Sequence, residues 1–237
     1  MEININIIID EIIEALDKKK GYSLVRIGDG ENIVLSGEIL KRNIWDYRGE
    51  NKIEGSSMQM ARLMLANAIR EASIIGCFVI DDWTKRSFEI QGLKYPPDRY
   101  CYAWLNLFLC TRLKFVKEVL MKHKLLLLGF PMKEWAEKFL KPLGVNYFVP
   151  SIKYDISNMY EYDIIRNEMR NNDFDIALIS MGVWAPALAN EALHMNKVGI
   201  DYGHAPNHNF INEYPINTQY EDIEEYYRHS KCPVCLK

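Results

Sequence analysis

Hydrophobic positions along this chain follow two spacings, and their order predicts the architecture. Ile5, Ile8, Ile9, Ile12 and Leu16 recur at helical intervals, so an amphipathic first helix is expected, with Lys18, Lys19 and Lys20 at its cation-favouring end. Leu24, Val25 and Ile27 form a short apolar run, which reads as a buried strand. Residues 32–40 predict a short helix and residues 41–55 a polar, aromatic, irregular loop. Ser56 or Ser57 supplies a cap for the next helix, with Met60, Leu63, Met64, Ala68 and Ile69 as its apolar face. A second strand is expected over 74–80, ending in Asp81, Asp82 and Trp83, and then a loop over 84–99 that contains Pro96 and Pro97.

Residues 100–121 are rich in aromatic and aliphatic side chains and read as one or two buried helices. A third strand over 125–128 ends at Gly129, and a helix over 133–140 is closed by Pro142 and Gly144. A fourth strand covers 145–149, and Met159, Tyr162, Ile165 and Met169 mark another helix. Then come a fifth strand over 175–180, a helix over 185–196 and a last strand over 198–201. Beyond His204 the chain is polar and aromatic, with only 220–228 helical in pattern. Strands alternating with helices predict an α/β domain with a mostly parallel sheet of five or six strands and helices on both faces. One domain over 1–206 and a tail over 207–237 are expected, since no repeat or low-complexity linker divides the chain.

Composition narrows the class. With 237 residues, 49% of them hydrophobic, and a net charge of −3, the chain has the core of a large domain and no basic field for nucleic acid. Glu2, Asp10, Glu11 and Glu14 interrupt the isoleucine-rich start, so no transmembrane or signal segment is read there. Five cysteines is an odd number, and Cys77, Cys101 and Cys110 sit in apolar or aromatic runs as small buried hydrophobes. A reducing, cytoplasmic setting follows, with peripheral attachment at the inner face of a membrane left open although no basic patch favours it.

The candidate chemistry lies at strand ends. After the first strand, Gly28, Asp29, Gly30 and Glu31 place two carboxylates in a turn whose glycines permit positive φ or close approach to a ligand. Paired carboxylates can ligate a hard divalent cation such as magnesium or manganese, which bridges to phosphate oxygens; an ordinary solvated acidic turn has the same spacing. Ser180 and Gly182 form a second turn before a helix, where backbone amides can meet an anion, although a plain strand-to-helix connection is the favoured reading; Pro186 suits the first helical turn. No GxGxxG or GxxxxGK fingerprint is present, which counts against a nicotinamide dehydrogenase or a P-loop enzyme. Asp201 and His204 close the last strand, where each can contact a metal, a ribose or an acceptor hydroxyl, or serve in the structure alone. His229, Cys232 and Cys235 supply half of a zinc site; a tail with two exposed thiols is the favoured reading, and a homodimer sharing one zinc the weaker one.

In order along the chain, VRIGDGE, a strand ending in Asp82, VPS, the SMG turn and IDYGH resemble the GT-D type glycosyltransferases over residues 22–204. The resemblance implies a Rossmann-like fold and a DxE motif, here Asp29 and Glu31, that holds a metal and the diphosphate of a sugar nucleotide. It further implies that Arg26, at the family's arginine position, steadies the carboxylates or the diphosphate. Asp82 matches the acid after the family's second strand, and His204 its GH histidine. Two departures stand out. Ile27 and Asn32 replace phenylalanines, a change of packing or of base stacking, and APNHNF after His204 replaces a more acidic continuation.

The expected function is therefore transfer of a sugar from a nucleotide diphosphate, a uridine nucleotide by resemblance, to a carbohydrate or glycoconjugate acceptor. Asp29 and Glu31 would hold the metal, Gly28, Gly30, Ser180 and Gly182 would line the donor, and Asp82, Asp201 or His204 would supply an acceptor base if the reaction inverts. The same acids would serve a metal-dependent phosphoesterase or nucleotide-sugar hydrolase, and a non-catalytic nucleotide-sugar or glycan-binding subunit is the third reading.

Overall fold

The computed structural model describes residues 2–37, 55–77, 82–129, 132–150 and 159–207. The predicted loop over 41–55 (all but its last residue), Asp81, VPS beyond Pro150, the helix over 220–228 and the trio His229, Cys232 and Cys235 lie outside the described residues.

Among the described residues, seven strands form one sheet in the order β3-β2-β1-β7-β6-β4-β5, with every pairing parallel. They are β1 (Tyr22–Arg26), β2 (Ile74–Cys77), β3 (Tyr100–Tyr102), β4 (Leu125–Leu128), β5 (Tyr147–Phe148), β6 (Ile176–Ile179) and β7 (Val198–Asp201). The α/β, Rossmann-like expectation holds, with seven strands in place of five or six. The additional strand is β3, in a segment whose aromatic composition reads as helix. Its three residues pair with β2 from Ile75↔Tyr100 to Cys77↔Tyr102, so tertiary pairing overrides a local pattern too short to show a period of two.

The helices are α1 (Ile5–Asp17), α2 (Asp29–Ser36), α3 (Gly55–Glu71), α4 (Asp82–Ile90), α5 (Asn106–Leu109), α6 (Met132–Trp135), α7 (Met159–Asn171) and α8 (Ala185–His194). Phe115–Leu120 and Ala136–Leu140 wind more loosely, as π-helix. Alternate strand residues divide two cores. Leu24, Leu125, Leu127, Ile176 and Ile200 meet α1, α5, α6 and the π-helical turns, whereas Val25, Leu126, Leu128, Ala177 and Ile179 meet α2, α3, α4, α7 and α8. In α1, Asn4 accepts from the amides of Asn6 and Ile7 at 3.0 and 3.1 Å, and Ile5, Ile8, Ile9 and Ile12 are buried as their spacing predicts.

Three expectations are corrected. Helix α2 begins at Asp29, so the two acids occupy a helical first turn and not a turn ahead of it. Helix α3 buries Ala61, Leu65, Ala66, Ala68 and Ile69, while Met60 and Leu63 are 43% and 57% exposed. The small residues let α3 lie close to α8, with Leu65 and Ile69 beside them and Met60 and Leu63 turned outward. The loop expected from residue 84 is helical as far as Ile90, because α4 buries Thr84 and Ser87 beside Phe88 and so lacks an apolar stripe to read. Cys77, Cys101 and Cys110 are buried thiols, as expected. Among the described residues no helix is long and apolar enough to cross a membrane.

Candidate functional site

Strands β2 and β3 lie on one side of β1, while β7, β6, β4 and β5 lie on the other. The chain therefore reverses direction across the sheet at β1 and β7, and the crevice beyond their carboxyl ends is where open α/β sheets bind ligands. Arg26 ends β1, Asp201 ends β7, and α2 with Asp29 and Glu31 starts three residues beyond Arg26. This places the strongest sequence candidates on one edge.

Asp201 fastens the two strand ends. One carboxylate oxygen accepts from the backbone N–H of Arg26 at 3.2 Å, and the other accepts from the N–H of Gly203 at 3.1 Å. The Arg26 guanidinium stands 3.7 Å from the second oxygen. Its Nε donates to the Ala103 carbonyl at 2.6 Å, beyond β3, so one side chain ties β1, β3 and β7. Asp201 is only 3% exposed. Burial pushes its carboxyl up to about 7, against the pull of Arg26, with Glu31 adding to the rise.

Glu31 bends back over the helix start, and its carboxylate accepts from the Gly28 N–H at 2.8 Å. Burial raises this carboxyl, the Gly28 amide and Arg26 draw it down, and Asp29 raises it further. Asp29 itself faces solvent at the helix start, where the macrodipole favours an anion. Gly30 is buried within the first turn, and neither Gly28 nor Gly30 is among the residues of positive φ, so the left-handed geometry that these glycines permit is not used. Both side chains carry hard oxygens, and the burial and the Asp29 charge that disfavour the Glu31 carboxylate are what a bound cation would offset, so the residue types suit a divalent metal. Among the described residues no group of three or more His, Cys, Asp and Glu side chains is arranged to hold a metal ion.

Asp82 is exposed at the start of α4, and that helix is fastened to α2: the Asn32 side-chain amide donates to the Thr84 hydroxyl at 2.9 Å, within the buried interior. Ile27 and Asn32 are 0% and 1% exposed. The two positions that depart from the phenylalanine pattern are therefore packing positions. Past β7, His204 meets Trp104 edge to face at 5.6 Å between ring centroids. Ser180 and Gly182 lie past β6, two strands from β1, with Gly182 exposed at φ 53°. A 3-10 turn, Gly182–Trp184, separates that glycine from α8, whose first residues are buried, so the helix start is not presented directly after the strand.

Sequence reading missed Ala103, Trp104 and Asn106. The Asn106 side-chain amide donates to the Tyr202 carbonyl at 2.7 Å and so holds the backbone just before Gly203. The available signal was a lone asparagine inside the apolar run LNLFLC.

The model of the GT-D-like family, described as a GT-D fold-like domain, matches residues 3–209. Among solved structures, a chain described as a new glycosyltransferase from Streptococcus sanguinis is similar in fold, with a TM-score of 0.55 and 14% identity over 86% of this chain and 83% of that one. No curated protein matches this sequence.

Proposed function

The chain belongs to the GT-D-like family, and on that premise we propose that it is a metal-dependent glycosyltransferase that moves a sugar from a nucleotide-diphosphate donor to a carbohydrate or glycoconjugate acceptor. The observation that carries the reading is that Asp29 and Glu31 both lie in the first turn of α2, at the strand-order reversal beside β1 and β7. Two carboxylates there repel a diphosphate unless a cation lies between them, so Asp29 and Glu31 are the groups that would hold a magnesium or manganese ion. When bound, such an ion supplies Lewis-acid stabilisation of the departing diphosphate.

The chain's own groups do the rest. Arg26, fixed at its Nε and by Asp201, brings a cation to the same edge and would bind phosphate oxygens. Asp201 has both oxygens engaged by backbone amides and is assigned the positioning of Arg26 in preference to proton abstraction. Asp82 and His204 are the remaining candidates for an acceptor base. Trp104 and His204, packed edge to face, would offer a ring face to a sugar or base. Gly28, Gly30, Ser180 and Gly182 would border the donor, and a uridine nucleotide is the expected donor base.

A panel of nucleotide sugars incubated with acceptors, with manganese added or chelated and products read by mass spectrometry, tests this. Metal-dependent appearance of glycosylated acceptor is the expected result. Free sugar released at a rate indifferent to acceptor would instead identify a hydrolase, and donor binding without consumption a binding subunit.

A further inference from the structure

Helix α2 carries both acids, yet it has only eight residues. Such a helix has no independent stability, and its placement must come from its surroundings. Apolar contacts from Val34 and Leu35 bury it but are non-directional. Directional contacts surround its other side. Arg62 of α3 donates from Nε to the Val34 carbonyl at 2.7 Å, and Gln91, just past α4, donates to the Leu35 carbonyl at 2.6 Å. These are carbonyls of the last turn, which have no partner within the helix. The Ser87 hydroxyl reaches the Asn32 carbonyl at 3.4 Å, and Thr84 accepts from the Asn32 side chain. Gly37, in the left-handed region at φ 70°, leaves the space the guanidinium fills: a Cβ there would lie 2.7 Å from Arg62 Nη2.

We propose that Arg62, Thr84, Ser87 and Gln91 form a polar girdle of positioning residues that fixes the roll and slide of α2, and with it the geometry in which Asp29 and Glu31 are presented. Their hydrogen bonds run to the helix backbone and to Asn32, and it is through these that they act. This rests on the reading of Asp29 and Glu31 as the metal-holding pair. Sites of this kind require placement to within about half an ångström, which apolar packing of a two-turn helix does not supply.

The test uses the full chain with Arg62→Met, Thr84→Val and Gln91→Met, each of which removes a polar contact with little change in size, and Thr84→Ser, which keeps the hydroxyl. Manganese affinity is measured by paramagnetic resonance titration without donor, backbone exchange in α2 by hydrogen–deuterium mass spectrometry, and folding by circular dichroism. With folding retained, the three variants are expected to lose about tenfold in manganese affinity and to speed α2 exchange by about tenfold, while Thr84→Ser stays near the parent chain. Unchanged α2 exchange, or faster exchange with unchanged manganese affinity, overturns the proposal. If the parent chain binds no manganese, the metal reading fails separately, and α2 exchange alone decides whether the girdle holds the helix.

Discussion

Gly203 and Arg26 share one space: a Cβ built on Gly203 would overlap the Arg26 guanidinium at Nη1, and Gly203 itself sits at φ 51°. The glycine of the YGH turn thus has two physical reasons to be glycine, one in its backbone and one in its neighbour.

Gly203→Ala is expected to displace Arg26 and to strain the turn. A side chain in the left-handed region costs on the order of 1–2 kcal/mol. Thermal unfolding should register that loss, and donor titration should give an affinity lower by about tenfold, the effect of one charge-assisted contact of about 1.5 kcal/mol. Unchanged donor affinity would remove Arg26 from the binding surface.

Asp201 links stability to pH in a defined direction. Its folded carboxyl is raised to about 7, well above the range near 3.9 of an unfolded aspartate. The folded state thus holds a proton that the unfolded state releases, and the resulting stabilisation is present below about pH 4 and is lost as pH rises through about 7. Between pH 5 and 8, the stability of the parent chain relative to Asp201→Asn is expected to decline. Parallel denaturation midpoints of the two proteins across that window would refute the assignment.

Glu31→Gln should separate stability from function. Burial disfavours the charged carboxylate in the absence of a cation, and the amide oxygen of the substituted side chain can still accept from the Gly28 N–H. The metal-free variant is expected to melt at or above the parent temperature, while manganese-dependent donor binding falls by more than about tenfold. A variant that retains the parent's metal-linked affinity in calorimetry would sink the role assigned to Glu31.

The interior thiols should be inert. Burial raises Cys77 and Cys110 to about 12 and Cys101 further still. Alkylation of the native chain at pH 8, mapped by peptide mass spectrometry, is expected to leave all three unmodified until denaturant is added. Modification of Cys101 in the native protein would mean that β3 opens.

Much of the fold was legible because long elements repeat their pattern. The isoleucines of α1 and the Tyr162, Ile165 and Met169 stripe of α7 are buried as their spacing predicts, and β4 and β7 fall where their apolar runs lie. The misses are short or polar. Three residues of β3 have no period to detect, and α4 buries a threonine and a serine that look like solvent-facing residues until Asn32 is placed beside them. At the candidate site, Asp29, Glu31 and Asp201 were visible as acids at strand ends and Arg26 through the family resemblance, whereas Ala103 contributes only a backbone carbonyl, which no side-chain motif can encode.

By itself the sequence determined which residues end up at the carboxyl edge of a parallel sheet, because apolar runs followed by glycine and acid end strands wherever the strands pair. Only the tertiary structure decided how those residues meet. Strand order put β7 against β1, which brought Asp201 onto Arg26 across 175 positions of chain. The same packing put α4 against α2, which turned Asn32, Thr84 and Ser87 from scattered polar residues into buried partners. Those contacts depend on distances through space that a local pattern does not carry, since the burial that makes each hydrogen bond obligatory exists only once the sheet has formed.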